Sequence, residues 1–234
     1  MHRRLACIAF FKDRGKRSAL AIFGLCFCAV GSYLQIRADI GLSPWFALHQ
    51  GLSFTFPISF GTASILVSVV VLSADLILKE PIGIGAILDV FVMGWVADLC
   101  LEYGPVPVQT RLVPQLALLI FGIFVQSFGQ FVYMKAALSC GPRDALMVAL
   151  GKRLSRISIG TANILLSLFV LAAGTLLGSQ LGVGTVVSLF GAGIIMDLVF
   201  RLLHFEPRSV THEGALQTLS AFRAAWREDT LQQK

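Results

Sequence analysis

The sequence predicts an all-α membrane protein: a bundle of six transmembrane helices, built as two inverted three-helix repeats, each with a short broken or re-entrant helix. Three observations predict this fold. Of the 234 residues, 56% are hydrophobic and 14% are charged, with a mean hydropathy of +0.80, whereas a soluble domain carries about 25% charged residues. Apolar segments long enough to cross a bilayer recur along the chain. The second half of the chain also repeats the first.

Six apolar segments account for most of the chain, and each holds roughly the 20 residues that a spanning helix needs. They cover residues 18–36, 60–78, 82–101, 113–134, 159–178 and 182–203. Every backbone polar group in lipid must be satisfied internally, so these segments must be helices. The joints at 79–81 and 179–181 are so short that they force antiparallel helix hairpins.

The basic residues predict the orientation, because Lys and Arg concentrate in cytoplasmic loops. Six of the 19 Lys and Arg residues lie in the first 17 positions, and five more lie in the connection at 135–158. The connections at 37–59 and 102–112 hold only Arg37 and Arg111. The pattern places both termini in the cytoplasm and the body in a bacterial inner membrane.

Five regions follow from this topology. They are a basic cytoplasmic arm at 1–17, a first three-span repeat at 18–101, an external connection at 102–112, a second three-span repeat at 113–206 and a cytoplasmic amphipathic tail at 207–234. The tail places apolar residues at helical spacing, which is typical of a helix lying on a membrane surface.

The internal repeat is visible by eye. The segment ISFGTASILVSVVVL at 58–72 matches ISIGTANILLSLFVL at 157–171, and IGIGAILDVFVMGWVADL at 82–99 matches LGVGTVVSLFGAGIIMDL at 181–198. The shift is 98 residues and becomes 99 after Gly151. Because three spans is an odd number, the second copy must enter the membrane inverted. Transporters with this architecture place their sites near the midplane, between the repeats.

A short broken helix is predicted in each copy, at 44–52 and 142–150. Pro44 and Pro142 each follow a small residue, which is typical of a helix cap and a first-turn proline. These segments are too short to span and too apolar for ordinary loops, so they suit re-entrant half-helices. The alternative is an amphipathic helix lying flat on the headgroups, with Trp45 as the interface anchor.

Five short stretches together form a recognisable pattern: Ala38–Gly41, Pro44-Trp45, Gly51–Ser53, Gly83–Gly85 and Gly141–Asp144. This pattern resembles the YczE-like family of bacterial integral membrane proteins over residues 18–203, and the resemblance implies a polytopic membrane protein. The family has an aspartate where this chain has Phe46, and a second Asp-x-Gly where this chain has residues 137–139. Of the carboxylates that the pattern would provide, Asp39 and Asp144 are present here.

Polar groups within the bilayer are candidate site residues because they are costly there. Asp89 lies near the middle of the third span and is either a proton or cation site or a neutral hydrogen-bonding group. The wider candidate path for a substrate or ion comprises Asp89, Asp39, Asp144, Arg143, Gln126, Gln130 and Asn163. The two glutamines and the asparagine could instead join helices. Asp75 is expected to pair with Lys79, four residues on.

Glycines mark the helix starts. Gly83, Gly85, Gly182 and Gly184 open the third and sixth spans, and Gly61 and Gly160 open the second and fifth. Their amides could attract an anion, or the glycines could serve close helix packing. A second set, Gly24 and Gly31 with Gly122 and Gly129, has a seven-residue spacing that predicts a packing groove.

No enzyme is expected, since the sequence lacks a nucleophile–base pair, an HExxH motif and a phosphate loop. No cofactor, metal or nucleic acid is expected either. The expected partners are the lipid bilayer, a small solute or ion, and a second copy or another membrane protein. The predicted function is therefore transport of a small solute or ion, as a transporter or channel with a site between the two repeats. The alternative is a non-transporting accessory or scaffold protein of a biosynthetic or export pathway.

Overall fold

The protein is described by a computed structural model that covers residues 5–80, 82–138, 141–153 and 159–206. All regular structure in these residues is α-helical. The helices are α1 (Leu5–Ala38), α2 (Pro44–Thr55), α3 (Phe60–Ile77), α4 (Ile84–Tyr103), α5 (Leu112–Lys135), α6 (Pro142–Arg153), α7 (Ile159–Leu176) and α8 (Val183–Leu202).

Three helices of the first half have the same lengths as three of the second, whereas α1 with 34 residues is longer than α5 with 24. α2 and α6 hold 12 residues each, α3 and α7 hold 18, and α4 and α8 hold 20. The backbone after α1 also resembles the backbone after α5. Asp39, one residue after the end of α1, has a positive φ angle of 51°, and Ala137, two residues after the end of α5, has one of 54°. The predicted broken segments are thus two separate short helices.

Among the described residues, five helices are long and apolar enough to cross a membrane, namely α1, α3, α4, α5 and α8. Within α7, the stretch Asn163–Leu176 is apolar but shorter. The protein is therefore a helical membrane protein, and the count of six spans stays a prediction.

The helix of the first span also includes the described part of the basic arm. α1 runs without a break from Leu5 to Ala38, 34 residues in all, and its apolar stretch of spanning length, Phe11–Ala38, holds 28 of them. At 1.5 Å per residue α1 is about 50 Å long, well beyond a hydrocarbon core of about 30 Å. Asp13 and Arg17 form an ion pair of 3.0 Å one helical turn apart, which supports helix in the projecting part.

The most extensive helix pair is the crossing of α1 with α5. We call the four glycines Gly24, Gly31, Gly122 and Gly129 the seam. A methyl group added at Gly24 would lie 2.8 Å from the Gly129 carbonyl oxygen, and one at Gly31 would lie 2.7 Å from the Gly122 carbonyl oxygen. The predicted packing groove is confirmed, and the order of the pairs makes α1 and α5 antiparallel.

Local chemistry sets the helix ends that matter for the site. α2 begins with Pro44 after an extended Ser43 and ends at an extended Phe56 that precedes a proline, both of which fit the backbone rules for proline. α3 begins at a Ser59 cap whose hydroxyl accepts from the Thr62 amide. The two short helices pack between α3 and α7, since α2 and α6 each contact both.

Candidate functional site

The starts of the two short helices meet. Arg143, the second residue of α6, places its guanidinium carbon 5.2 Å from the ring centre of Trp45, the second residue of α2. The same carbon lies 6.0 Å from the ring centre of Phe46. These separations fit cation–π attraction, which needs about 6 Å or less. Two helices that are 98 residues apart in sequence are thus joined at their first turns.

Two carboxylates lie beside this contact. A methyl group added at Gly141, the residue before α6, would lie 3.2 Å from an Asp89 carboxylate oxygen and 4.0 Å from one of Asp144. Both carboxylates are close enough to stabilise the charge of Arg143. The predicted site residues Asp89, Arg143 and Asp144 therefore come together, and with Trp45 we call them the junction.

The junction brings two carboxylates and one guanidinium together and is open on one side. Asp89 and Arg143 are half-buried and Asp144 is exposed. Gly141 is buried, and its lack of a side chain leaves the space that the Asp89 carboxylate approaches. A cationic group could therefore reach the carboxylates from the open side while the aromatic rings form the opposite wall.

His49 is a residue of this region that the sequence did not single out. Its side chain is fully buried, and neither ring nitrogen has a hydrogen-bond partner. The ring packs edge-on against Phe60 at 5.5 Å and lies 6.2 Å from Phe46. Burying a polar ring without a hydrogen-bond partner lowers the stability of the fold. His49 nevertheless packs against two aromatic rings, so its contribution near the start of α2 is to packing.

Gln126 and Gln130 lie in the α1–α5 interface instead of at the junction. The Gln35 side-chain amide donates to the Gln126 side-chain oxygen at 2.6 Å and to the Gly31 carbonyl at 3.2 Å. The Cys28 thiol approaches the Gln130 side-chain oxygen at 4.0 Å. Gln35 is another residue that the sequence did not indicate, because its partner is 91 residues away. These amides join helices, which was one of the two predicted alternatives.

Two other candidates lie apart from the junction. Asp39 is exposed after the end of α1, where its backbone carbonyl accepts from the Gln115 side chain at 3.2 Å. Asn163 is exposed on the surface of α7. Among the described residues, neither side chain contacts Asp89, Arg143 or Trp45.

The helix-start glycines serve packing where their surroundings are described. The Gly61 amide donates to an Asp98 carboxylate oxygen at 2.7 Å, and the Ser59 hydroxyl donates to the other oxygen of Asp98. The Gly184 amide donates to the Ile40 carbonyl at 2.8 Å, and these amides are therefore taken by protein acceptors. The other members of this set lie at or near the starts of their helices: Gly83, Gly85, Gly182 and Gly160.

The expected pair of Asp75 with Lys79 is wrong. Asp75 is fully buried and neither of its carboxylate oxygens has a hydrogen-bond partner. Lys79 is exposed and has a positive φ of 58°, because α3 has already ended at Ile77. The helix thus stops before Lys79 reaches the i+4 position that the pairing requires.

Two further predictions fall partly or wholly outside the described residues. The amphipathic tail at 207–234 is outside them, as are the first four residues of the basic arm. Within the described residues, no group of three or more His, Cys, Asp or Glu side chains could hold a metal ion.

Comparison with known proteins identifies relatives of the whole membrane body. A model of the family described as "Family of unknown function (DUF6198)" matches residues 15–201. An "Uncharacterized protein" of Haemophilus influenzae is 28% identical over 203 residues, which is 85% of this chain and 92% of the relative. The "Uncharacterized membrane protein YczE" of Bacillus subtilis is 26% identical over 175 residues, 74% of this chain and 80% of the relative. No solved structure matches.

Proposed function

Since the chain belongs to DUF6198, a family of unknown function, we propose its activity from its own geometry. The protein is a multi-pass transporter or channel of the bacterial inner membrane, with both termini in the cytoplasm. It moves a small solute or ion through a site between two inverted three-span repeats. The observation that carries this proposal is the meeting of α2 and α6 start to start, at the junction.

The seam supports the inverted repeat. By the 98-residue shift, Gly24 corresponds to Gly122 and Gly31 to Gly129. The close contacts run crosswise, between Gly24 and Gly129 and between Gly31 and Gly122. A two-fold axis gives this pattern, because it exchanges the partners of every contact. The helix pairs follow the same rule, since α1 packs on α4 as α5 packs on α8, and α2 on α7 as α3 on α6.

Contacts at the C-terminal ends of α2 and α6 support the depth at which these short helices lie in the membrane. Thr55, the last residue of α2, donates to the Leu177 carbonyl just after α7, and Arg153, the last residue of α6, donates to the Leu78 carbonyl just after α3. In the proposed topology α7 ends outside and α3 ends inside. Each short helix is about 18 Å long, so together they cover a core of about 30 Å. Their starts then meet near the midplane.

The chemistry of the junction favours a cation. Charged groups inside a membrane are costly, and they mark ion and substrate paths when they face a cavity. Asp89 places a carboxylate oxygen beside Gly141, where a cation or a proton could bind it, and the junction is exposed at Asp144. Arg143 limits the cost of holding both carboxylates in place, since opposite charges stabilise one another.

The test is flux through the purified full-length protein in liposomes. Proton entry is followed with a trapped pH dye, and sodium and tetraethylammonium uptake with radioactive tracers, under a potassium diffusion potential. At least one of the three probes should cross faster than in empty liposomes. Asp89→Asn should lower that flux at least tenfold, because it removes the negative charge nearest to Gly141.

Asp197→Asn is the matched control, because Asp197 is exposed on α8 and should not affect flux. Unchanged flux in both Asp89→Asn and Asp144→Asn protein would contradict the proposed site. If none of the three probes moves, while a stable protein partner co-purifies and is lost on deletion of 207–234, the accessory or scaffold role is favoured instead.

A further inference from the structure

Asp75, near the end of α3, is a buried acidic residue that lies apart from the junction. Its side chain is 0% exposed, and neither carboxylate oxygen has a hydrogen-bond partner among the described residues. α3 carries no other charged residue. An ionised carboxylate without a partner is far more costly to bury than the neutral acid, so a carboxyl group in such surroundings holds a proton.

The turn after α3 brings no cation to Asp75. The Glu80 backbone amide donates to the Asp75 backbone carbonyl at 3.0 Å, so the turn brings a second acidic residue close to the first. Lys79 is exposed and has a positive φ of 58°, which takes it out of the helix. The Arg153 side chain of α6 reaches this turn, but it donates to the Leu78 carbonyl at 3.1 Å instead of to Asp75.

The other charged groups on the helices packed against α3 lie elsewhere. α3 packs mainly against α2, α4 and α6. Apart from Arg153, their described acidic, basic and histidine side chains lie at the junction, near the start of α3 or at the far end of α4: Asp89, Arg143 and Asp144; His49 and Asp98; and Glu102. The side chain of Lys152 lies outside the described residues. No described cation therefore neutralises Asp75.

The corresponding position of the second half carries a glycine. By the 99-residue shift, Asp75 corresponds to Gly174 of α7. A methyl group added at Gly174 would lie 2.6 Å from the backbone of Ala47 in α2, so that crossing has no room for a side chain. Among the described residues, α6 packs on α3 less extensively than α2 packs on α7. By the repeat, a carboxyl group thus stands at a helix crossing that is closed by backbone contact in the other half.

α6 connects this crossing to the junction. It begins with Arg143 and Asp144 in its first turn and ends with Arg153 beside the turn after α3. Release of the proton from Asp75 leaves an ionised carboxylate that needs water, and α6 is the less tightly packed neighbour that can move to admit it. In the proposed topology α3 ends inside, so the water is cytoplasmic.

We propose that Asp75 is a proton-binding site on the cytoplasmic side of the bundle. Its carboxyl group is neutral while α6 is packed against α3, and it releases the proton to water when α6 moves away. Proton binding at Asp75 can be measured without flux. As a coupling step of transport, the site rests on the proposed function.

The proton is detected by infrared spectroscopy of the full-length protein in a detergent without ester groups. The carbonyl stretch of a protonated carboxyl group is separate from the amide bands. At neutral pH the unmodified protein should show this band, and Asp75→Asn should lose the intensity of one carboxyl group. Raising the pH should remove the same intensity from the unmodified protein. Asp197→Asn is the matched control, because Asp197 is exposed on α8 and should leave the band unchanged.

Movement of α6 is followed at Ala149, which is 1% exposed. By the repeat it corresponds to Gly51, which packs against the Gly174 carbonyl, so Ala149 lies opposite Asp75. In a background without native cysteines, Ala149→Cys should react several times faster with a maleimide as the pH rises, and Asp75→Asn should remove this increase. Ala47→Cys on α2, also 1% exposed, is the matched control and corrects for the general rise in thiol reactivity with pH.

Several results would overturn the inference. A band that is unchanged in Asp75→Asn would assign the proton to another carboxyl group, and no band at neutral pH would mean that Asp75 is ionised. Loss of folded protein in Asp75→Asn would show that the fold needs the charge, since the amide has the shape of the neutral acid. Labelling at position 149 that does not depend on Asp75 would reject release through α6. Flux that depends on Asp89, without a band that depends on Asp75, would leave the transporter standing and this site rejected. The band without any flux would support the proton site alone.

Discussion

The seam and the junction both join helices that lie far apart in the sequence, yet their chemistry differs. In the seam, four glycines let the backbones of α1 and α5 approach so closely that no side chain fits between them. At the junction, a guanidinium lies on an indole beside two carboxylates. One contact between distant helices thus serves packing, and the other brings charged groups together.

The difference has an energetic reason. Helices in lipid gain nothing from hydrophobic burial against one another, so close van der Waals packing between small residues holds them together. Charged groups there are costly and do not stabilise the fold by themselves. We therefore expect changes in the seam to act on folding and changes at the junction to act on function.

The largest effect is expected in the seam. In Gly31→Ala the new methyl group would lie 2.7 Å from the backbone amide nitrogen of Gln126 and 2.7 Å from the backbone carbonyl oxygen of Gly122. Backbone atoms cannot move aside locally. Overpacking of this kind costs about 1–3 kcal/mol or more. The measurement is the thermal unfolding midpoint and the monodisperse yield in detergent.

Gly193→Ala is the matched control, because nothing lies within 4 Å of a methyl group at that position of α8. Its midpoint should not fall. If the two alanine variants unfold at the same temperature, the close crossing of α1 and α5 is not as described.

The second effect is expected at the junction and should separate folding from function. Arg143→Gln removes the charge that faces Trp45 and the carboxylates, so flux in the liposome assay should fall at least tenfold. The unfolding midpoint should change much less than in Gly31→Ala protein. Arg201→Gln, at an exposed residue of α8, should leave both unchanged. A collapse of folded yield in Arg143→Gln would make the junction a structural element like the seam.

A third, smaller effect concerns the hydrogen bond between Gln35 and Gln126. Gln35→Leu removes the donor of the 2.6 Å bond and leaves a half-buried oxygen without its partner, at a cost of about 1–3 kcal/mol. The double variant with Gln126→Leu should recover part of this loss, because no oxygen is then left unpaired. A double-mutant cycle with no coupling would show that the bond does not form.

The smallest effect is expected at Asp39. Asn tolerates the positive φ of this position nearly as well as any residue except Gly, and the side chain is exposed. Asp39→Asn should therefore change stability by no more than about 0.5 kcal/mol and leave flux unchanged. A loss of flux like that of Asp89→Asn would return Asp39 to the site.

The sequence was informative wherever the signal was local or periodic. Apolar segments of spanning length located the long helices, and the prolines at 44 and 142 located the starts of α2 and α6. The spacing of the seam glycines correctly predicted a groove. The long α1 was cut short in the prediction because charged residues between 12 and 17 interrupt the apolar run without breaking the helix.

The remaining features depend on contacts between distant parts of the chain. Nothing near Arg143 in sequence indicates that it lies over Trp45, and the pairing of Gln35 with Gln126 spans 91 residues. Asp75 was assigned to Lys79 from spacing alone, but the helix ends first. Asp89 was the best candidate from its place in the third span, and Asp39 and Asp144 followed from the resemblance. Only the tertiary fold separates Asp39 from the other two.

The most direct test concerns the meeting of α2 and α6 within the membrane. Trp45→Cys and Arg143→Cys are introduced together in a background whose native cysteines are replaced, and intact membranes are treated with a short thiol-to-thiol crosslinker. The account predicts an intramolecular crosslink, and predicts that a membrane-impermeant thiol reagent added from outside does not label Cys at position 45. Absence of the crosslink together with free labelling from outside is what a helix lying flat on the headgroups would give, and would contradict the account.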